Sequence, residues 1–257
     1  MEKIKILLTG ASGRLCSVIA KLAEGRDDCE IVCGVDVNGG TAAFPIYTSL
    51  DQVTETADVV IDCSHHTFAP KLADYLIRTN TAAVVCTTGH TDDEERAIRD
   101  ASEKVPVIKS RNMSLGINLL SELVKRAATV LGSDFDIEIL EAHHRNKIDA
   151  PSGTALMLAD AAKEARDAAN LETEYVYERA SKREKRGDAE IGISSIRGGT
   201  IVGEHSVIFA GNNEVLTLSH SAESRDLFGT GAIRAALFIA GKPAGFYTMS
   251  DVIAEIL

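Results

Sequence analysis

The chain has 257 residues, of which 45% are apolar, and a formal net charge of −11 at pH 7. This length and apolar fraction allow one large core or two smaller ones. The acidic balance argues against a nucleic-acid-binding protein, because phosphate-binding domains usually present a basic surface.

Short apolar runs alternate with segments of helical length over the first part of the chain. This alternation is typical of a parallel, doubly wound α/β sheet with helices on both faces. The runs comprise residues 4–8, 31–35, 59–62, 83–86 and 105–108.

The first run is followed by Gly10 and Gly13, and the second ends at Asp36. Glycines between a strand and a helix, with an acid after the next strand, are typical of dinucleotide-binding folds, in which the acid meets ribose hydroxyls. The glycines alone are weak evidence, because Cys16 replaces the third glycine of the usual pattern. Asp36 alone would be interpreted as a strand-end turn residue, so the prediction depends on the combination.

The third run is followed by His65 and His66. A position at a helix start is favoured over metal binding, because no third ligand accompanies the pair at a suitable spacing. The sequence therefore predicts no metal site.

A second domain is predicted from about Leu115. A helix is followed by a strand at residues 134–140, where Phe135, Ile137 and Ile139 alternate with acidic residues. Such alternation indicates a half-buried strand. Further strand-like runs predict an antiparallel or mixed sheet, and helical spacing resumes after Glu223. These runs are residues 191–196, 200–210 and 214–220, and the helical positions are Ala232, Ala235, Ala236 and Ile239.

Residues 178–190 contain five basic side chains. A basic patch that faces an acidic ligand is one interpretation. A solvated, mobile loop is favoured, because acidic residues and Gly187 interrupt the run.

The segment between the strand at 134–140 and the next helix combines two histidines, a lysine and a Ser-Gly-Thr turn. Ser152 is a good N-cap, so the backbone N–H groups after it should bind a carboxylate or phosphate. Lys147 adds a positive charge, and His143 and His144 can donate protons near neutral pH. A polar surface loop is the alternative interpretation.

The same residues carry a family resemblance. Residues 141–155 match the signature Glu-x-His-His-x-x-Lys-x-Asp-Ala-Pro-Ser-Gly-Thr-Ala, which resembles that of the dihydrodipicolinate reductase family. Other family features follow in the right order along nearly the whole chain. They are Gly-Ala-Ser-Gly-Arg at 10–14, Thr-Thr-Gly at 87–89, residues 112–118, Arg-Gly-Gly-Thr at 197–200 continuing to His205, and His220, Arg225, Gly231 and Ala232.

This resemblance implies a Rossmann-like doubly wound parallel sheet with an inserted α+β domain for substrate binding and oligomerisation. The dinucleotide-binding domain would comprise residues 1–114 and 225–257, and the inserted domain residues 115–224. The implied activity is NAD(P)H-dependent reduction of the dihydrodipicolinate (4-hydroxy-tetrahydrodipicolinate) intermediate, a cyclic dicarboxylate, to tetrahydrodipicolinate in lysine and diaminopimelate biosynthesis. A homotetramer is implied as well.

The resemblance also implies roles for individual residues. His143 and Lys147 would be catalytic, and one of the adjacent histidines should face away from the chemistry, because successive strand residues point oppositely. The substrate would be held by His144, Lys147, Ser152, Gly153 and Thr154. The cofactor would be held by Gly10, Ala11, Ser12, Gly13, Arg14, Leu15, Asp36, Cys86, Thr87, Thr88, Gly89, Asn112, Met113 and Ser114.

Three residues depart from the family pattern: Cys16, Cys86 and Met113. We expect Cys16 to lie in the first turn of the helix after Gly13, where the helix dipole would favour its thiolate and bound cofactor would cover it. No basic residue adjoins Asp36, so NADH should be preferred, with NADPH binding permitted by Arg14.

The remaining histidines and cysteines have ordinary structural explanations. His205 and His220 lie in strand patterns, where a hydrogen-bonded structural histidine is favoured over catalysis. The five cysteines lack paired spacing, which predicts free thiols, as in a reducing cytosol. The absence of a signal-peptide pattern and of a long apolar segment predicts a cytoplasmic protein without a membrane span.

Two other functions remain open from the residues alone. Another two-domain NAD(P) oxidoreductase acting on an amino acid or aldehyde would share the first domain but leave the histidine segment unexplained. A non-catalytic dinucleotide sensor would explain Cys16 and Cys86 as marks of a degraded site. Both His143 and Lys147 are present, which argues against the sensor.

Overall fold

The structure is a computed structural model that describes residues 2–256. Within that range the chain forms twelve strands and seven α-helices. The strands are β1 (Ile4–Thr9), β2 (Cys29–Val35), β3 (Ile46–Tyr47), β4 (Val59–Asp62), β5 (Ala82–Val85), β6 (Pro106–Lys109), β7 (Asp136–His143), β8 (Glu174–Val176), β9 (Glu190–Arg197), β10 (Gly203–Ala210), β11 (Val215–Ala222) and β12 (Gly245–Tyr247). The helices are α1 (Arg14–Ala23), α2 (Ala69–Thr79), α3 (Asp92–Ser102), α4 (Leu115–Leu131), α5 (Gly153–Ala168), α6 (Asp226–Ile239) and α7 (Met249–Ile256).

The chain divides into two compact units. One unit comprises the chain up to Leu115 together with the chain from Asp226 onward, and the other is Gly116–Arg225. Their roles in dinucleotide binding and substrate binding stay predictions. None of the helices among residues 2–256 has the length and apolar character needed to cross a membrane.

The first unit contains a seven-stranded sheet in the order β12-β6-β5-β4-β1-β2-β3, and every pairing in it is parallel. The central strands are buried on both faces, which explains their continuous apolar runs. Helices α1 and α6 pack on one face and α2 and α3 on the other. This arrangement confirms the predicted doubly wound sheet.

The order of strands reverses at β1, because β2 lies on one side of it and β4 on the other. The connection after β1 contains α1, on one face of the sheet, and the connection after β4 contains α2, on the other face. In doubly wound folds such a reversal opens a crevice at the carboxyl ends of the strands, where ligands bind. A ligand of the first unit is therefore expected at the loops after β1, β2, β4, β5 and β6.

The second unit contains a five-stranded sheet in the order β11-β10-β7-β9-β8. Strand β7 is central, antiparallel to β10 and parallel to β9, so the predicted mixed sheet is confirmed. Residues of α4 and α5 pack on one face of this sheet around a single apolar cluster that includes Ile137 and Ile139.

The bounds predicted for the central strand were wrong at both ends. Residues Gly132–Asp134 form a short 3-10 turn, with Gly132 at a φ of +60° that favours glycine. Strand β7 starts at Asp136 and continues to His143, because its last residues still pair with β9 on one side and β10 on the other. His143 is therefore a buried residue of the sheet rather than a loop residue.

The basic segment before β9 is a largely exposed loop, as predicted, but one of its basic side chains is held by the sheet. Arg186 has a side chain that is only 17% exposed. Its guanidinium donates hydrogen bonds to Asp136 Oδ1 at 2.7 Å and to Glu138 Oε1 at 3.0 Å. This cation therefore ties the segment to β7 instead of facing a ligand.

Candidate functional site

The turn between β1 and α1 requires glycine at its first position. Gly10 has a φ of +72°, and a Cβ atom there would lie 2.5 Å from the carbonyl oxygen of Cys63. Gly13 is the N-cap of α1 and offers no side-chain hydrogen bond to the first turn, which also lacks acidic residues. The free N–H groups and the helix dipole therefore make this turn a suitable site for a phosphate anion.

Asp36, immediately after β2, is drawn into the same turn. Its carboxylate accepts hydrogen bonds from the backbone N–H of Ser12 at 3.1 Å and of Asn38 at 3.0 Å. A cavity of about 460 Å³ opens here and is lined by Gly10, Gly13, Asp36 and, from α2, Lys71. The sequence search missed Lys71, because no local pattern places it beside Asp36.

A buried aspartate that the sequence analysis also missed connects the strand ends around this turn. Asp62, at the end of β4, accepts hydrogen bonds from Thr9 Oγ1 at 2.6 Å, Ser64 Oγ at 2.5 Å and Thr87 Oγ1 at 2.7 Å. Its carboxylate thus fixes the ends of β1 and β4 and the start of the loop after β5. Only the fold brings these four residues together.

The other predicted cofactor residues lie at the same sheet edge in different environments. Thr88 and Gly89 are exposed beyond β5. Beyond β6, the side chain of Asn112 accepts a hydrogen bond from Ser114 N at 2.8 Å. Arg14 is exposed at the start of α1. Four predicted residues place their side chains in or against the apolar core, which leaves backbone atoms to meet a ligand: Ala11, Leu15, Cys86 and Met113.

The expectation of a reactive Cys16 was wrong. Cys16 does lie in the first turn of α1, but its side chain is completely buried. Its hydrogen bond with Cys63 and its burial raise the pKa of the thiol well above its usual range, so the helix dipole does not produce a thiolate. Cys86 lies just after β5, is partly buried, and also has a raised pKa, because of its hydrogen bond with Cys63 and burial.

In the second unit, Ser152 caps α5 as predicted. Its Oγ accepts a hydrogen bond from the backbone N–H of Ala155 at 3.2 Å. The space around Gly153 is open, since a Cβ added there would meet no atom within 4 Å. A carboxylate can therefore approach the backbone N–H groups of Gly153 and Thr154 at the positive end of the helix.

Glu141 is the central acceptor of this site. Arg197 binds both carboxylate oxygens, at 2.8 and 2.9 Å. Two further hydrogen bonds come from His143 Nδ1 at 2.6 Å and Ser152 N at 3.1 Å. Burial opposes the charge on Glu141, but the hydrogen bonds from Arg197 and its other partners prevail and lower its pKa to about 2. One buried carboxylate thus positions both the histidine and the start of α5.

The adjacent histidines have different partners. His143 is buried and uses Nδ1 on Glu141, so its other ring nitrogen, Nε2, remains for chemistry. His144 is part-buried, and its Nε2 lies 3.2 Å from Arg225 Nη2. Lys147 is 21% exposed, with its Nζ 2.8 Å from a carboxylate oxygen of Asp149.

His205 also belongs to this cluster, although a structural role was favoured for it from its strand pattern. Its Nε2 lies 3.1 Å from Ser152 Oγ, and its ring is 5.2 Å from the ring of His143 in an edge-on arrangement. Burial and the nearby His143 lower the pKa of His205 to about 4, so it is neutral at physiological pH. Its Nδ1 has no hydrogen-bond partner among residues 2–256.

Comparison with known proteins covers both halves of the chain. Residues 4–113 match the family model described as dihydrodipicolinate reductase, N-terminus, and residues 116–253 match the model of its C-terminus. The chain is 50% identical over 252 residues to a 4-hydroxy-tetrahydrodipicolinate reductase of Caldanaerobacter subterraneus, covering 98% of this chain and 99% of that one. A 4-hydroxy-tetrahydrodipicolinate reductase of Clostridium tetani is 42% identical, with 96% and 95% covered.

Solved structures share the fold. A dipicolinate-bound dihydrodipicolinate reductase from Paenisporosarcina superposes with a TM-score of 0.79 at 23% identity, covering 96% of this chain and 98% of that one. GenD2 from gentamicin A biosynthesis, solved with NAD, gives a TM-score of 0.59 at 15% identity, covering 99% and 91%. These likenesses show that the overall fold of the chain is shared with both proteins.

The sheet topology places the chain in the class of proteins with a Rossmann-like, doubly wound parallel sheet. Within this class, the chain belongs to the dihydrodipicolinate reductase family. The predicted family, fold class and reductase activity in lysine biosynthesis are therefore confirmed.

Proposed function

We propose that the chain reduces the cyclic dicarboxylate 4-hydroxy-tetrahydrodipicolinate to tetrahydrodipicolinate, with His143 and Lys147 as its catalytic residues. The observation that carries this proposal is the cluster at the start of α5. An anion-binding helix terminus, a lysine and a histidine fixed by a buried carboxylate converge in one segment of the second unit. These groups meet the needs of a dianionic substrate that must also receive a proton.

The residues of the first unit fit a nicotinamide dinucleotide. Residues 10–15 would hold the pyrophosphate on free N–H groups at the start of α1, and Asp36 would hold the adenosine ribose. Residues 86–89 and 112–114, after β5 and β6, would lie on the nicotinamide side. When bound, the reduced nicotinamide supplies the hydride.

In the second unit, each substrate carboxylate needs fixed cations or N–H donors. The backbone of Gly153 and Thr154, the hydroxyl of Ser152, and Lys147 with His144 provide them. Glu141 accepts the Nδ1 proton of His143, so the proton that balances hydride addition would pass through Nε2 of His143 or Nζ of Lys147.

A coupled assay tests this function. The purified chain should oxidise NADH, followed by nicotinamide absorbance, only when the product of the preceding synthase is present. The variant Gly153→Ala should raise KM for that substrate, because its methyl group would occupy the open space over the anion site. Its thermal midpoint and its affinity for NADH should match the wild type. Absence of turnover in wild-type protein that binds NADH would instead favour a dinucleotide sensor, and turnover with amino acids a different oxidoreductase.

We further propose that NADH is the preferred cofactor and that NADPH is also accepted. The Asp36 carboxylate lies where it would repel a 2′-phosphate, whereas Lys71 in the same cavity would attract one. We expect a lower KM for NADH than for NADPH, and Asp36→Ala should narrow that difference. Lys71→Ala is the matched control and should widen it. A lower KM for NADPH in the wild type would contradict the assignment of Asp36 to the ribose.

We propose further that the chain assembles into a homotetramer and that it is located in the cytoplasm. The second sheet packs one face on α4 and α5, whereas the opposite face carries apolar side chains that are partly exposed. Leu140 on β7 is 38% exposed and Ile196 on β9 is 48% exposed. Exposed apolar side chains on one sheet face suit an interface between copies of the chain.

A further inference from the structure

Three cysteines that are far apart in sequence meet at the crevice of the first unit. Strand β4 continues into Cys63, strand β5 continues into Cys86, and Cys16 lies in the first turn of α1. All three side chains lie in or against the same apolar cluster, on the face of the sheet covered by α1 and α6. We call Cys16, Cys63 and Cys86 the thiol cluster.

Cys63 and Cys86 occupy equivalent positions on neighbouring strands. Asp62 pairs with Val85 in the parallel register of β4 and β5, and Cys63 and Cys86 are the next residues of the two chains. The backbone N–H of Cys86 donates to Asp62 O at 2.8 Å, which holds the two strand ends together beyond the ladder. Neighbouring strands lie about 4.8 Å apart. This spacing falls within the range of about 4.4–6.8 Å that a disulfide needs between Cα atoms.

Cys63 and Cys86 are also less buried than the other cysteines. Cys63 and Cys86 are partly buried, whereas Cys16, Cys29 and Cys33 are completely buried. Cys63 additionally lines the cavity of about 460 Å³ that contains Asp36. A small oxidant in solution can therefore reach Cys63 through the crevice.

Cys63 is the central thiol of the cluster. Hydrogen bonds from Cys16 and Cys86 lower its pKa below the usual range, against the opposing effects of burial and of the Asp62 carboxylate. A thiol with a lowered pKa is the nucleophile of its group, because thiolates react with peroxides and disulfides far faster than thiols do. The pKa values of the two neighbours are raised, and the Cys16 thiol donates to Thr9 O at 3.5 Å, so Cys63 is the thiol of the cluster that ionises first.

We propose that Cys63 is an oxidation site, at which hydrogen peroxide links Cys63 to Cys86 through a disulfide that weakens dinucleotide binding. The Cys63 sulfur attacks peroxide, the O–O bond breaks, and a sulfenic acid and water result. The Cys86 sulfur then attacks the sulfenic sulfur, an S–S bond forms, the S–O bond breaks and a second water leaves. Two thiols are oxidised by two electrons, and one peroxide is reduced to two waters.

The link to binding is the close approach of Gly10 to Cys63. A Cβ on Gly10 would lie 2.5 Å from the Cys63 carbonyl oxygen, so the phosphate-binding turn rests directly on this residue. Packing of this kind transmits small backbone shifts, since interiors tolerate little compression. A disulfide most often separates its Cα atoms by about 5.5–6 Å, more than the strand spacing, so forming it shifts Cys63 and displaces the turn. This consequence rests on the proposed function, because it assumes that the crevice holds the dinucleotide.

The test treats the full-length reduced protein with hydrogen peroxide, maps disulfides by mass spectrometry and measures NADH affinity by fluorescence titration. We expect a Cys63–Cys86 disulfide and a rise in Kd of about tenfold or more, equivalent to at least 1.4 kcal/mol. Dithiothreitol should reverse both, and saturating NADH should slow the reaction. A Cys16–Cys63 bond, unoxidised Cys63, or an unchanged Kd in the cross-linked protein would each overturn the proposal.

Variants separate this proposal from general oxidation. In Cys63→Ser and Cys86→Ser, the Kd before and after peroxide should be equal within each variant, whatever its starting value. Cys29→Ala is the matched control, because Cys29 lies at the amino end of β2, whereas Cys63 and Cys86 follow the carboxyl ends of their strands. This variant should keep the peroxide response. If the reduced wild type fails to bind NADH, the dinucleotide proposal fails, and the disulfide map alone then decides whether the oxidation site exists.

Discussion

Replacing either His143 or Lys147 with alanine should lower kcat by a factor of the order of 10²–10⁴, the usual effect of losing a general acid. His143 can offer Nε2 because Glu141 holds its Nδ1, and Lys147 lies in the same loop before the anion-binding start of α5. Steady-state kinetics with purified variants provide the measurement. Circular dichroism should show an intact fold, since the Glu141–Arg197 pair remains.

The matched control is Lys163→Ala. Lys163 lies on α5 and, like Lys147, pairs with a nearby aspartate, Asp167, at 2.8 Å. It is 41% exposed and distant in sequence from the histidine segment, so its loss should leave kcat unchanged. Activity near that of the wild type in His143→Ala or Lys147→Ala would remove the catalytic role from that residue.

Replacing Glu141 with glutamine should destabilise the fold by about 3–5 kcal/mol at neutral pH, the usual result of breaking a buried ion pair. Arg197, His143 and Ser152 all donate to this carboxylate, so an amide NH₂ in its place would oppose at least one of them. Turnover should fall as well, because His143 would lose its fixed orientation. Urea denaturation gives the free energy of unfolding.

The control is Glu138→Gln on the same strand. Glu138 pairs with Arg186 at 3.0 Å but is 36% exposed, so its loss should cost no more than about 1 kcal/mol.

The dependence of stability on pH provides a second check on Glu141. The folded pKa of Glu141 is about 2, below the usual value of 4.5 for a glutamate, so its stabilisation is present above pH 4.5 and is lost as pH falls toward 2. The difference between wild type and Glu141→Gln should shrink over that interval. A difference independent of pH would show that Glu141 is not the ionised partner of Arg197.

Local chemistry predicted much of this molecule. The apolar runs located five strands of the first sheet to within two residues at each end, because buried parallel strands consist of continuous apolar residues. Ser152 predicted the start of α5, since capping depends on a side chain and the N–H groups that follow it. The end of β7 was missed because Glu141 and His143 look like loop residues. Only pairing with β9 and β10 makes them part of the sheet.

Contacts between distant parts of the chain could not be predicted from local patterns. Arg197 reaches Glu141 across 56 positions of sequence, and His205 reaches Ser152 across 53. Lys71 joins Asp36 only because α2 returns to the same crevice. Arg197 and His205 lie in a segment that resembles the family pattern. This resemblance indicated that the two residues are important, but it did not indicate which residues they contact. The prediction of a thiolate at Cys16 was wrong for a related reason. The helix dipole can be predicted from the local sequence, whereas the burial that raises the pKa of this thiol depends on the whole fold.

The shared carboxylate of Glu141 has a consequence for how this site can change over time. Arg197, His143 and Ser152 are bound to one acceptor, so their contributions are coupled rather than additive. Once one of these donors is lost, Glu141 no longer holds the others in the same orientation, so a second substitution costs less stability and activity than the first. Substitutions at these positions should therefore occur together: where one of the three residues is replaced, the others should be replaced more readily.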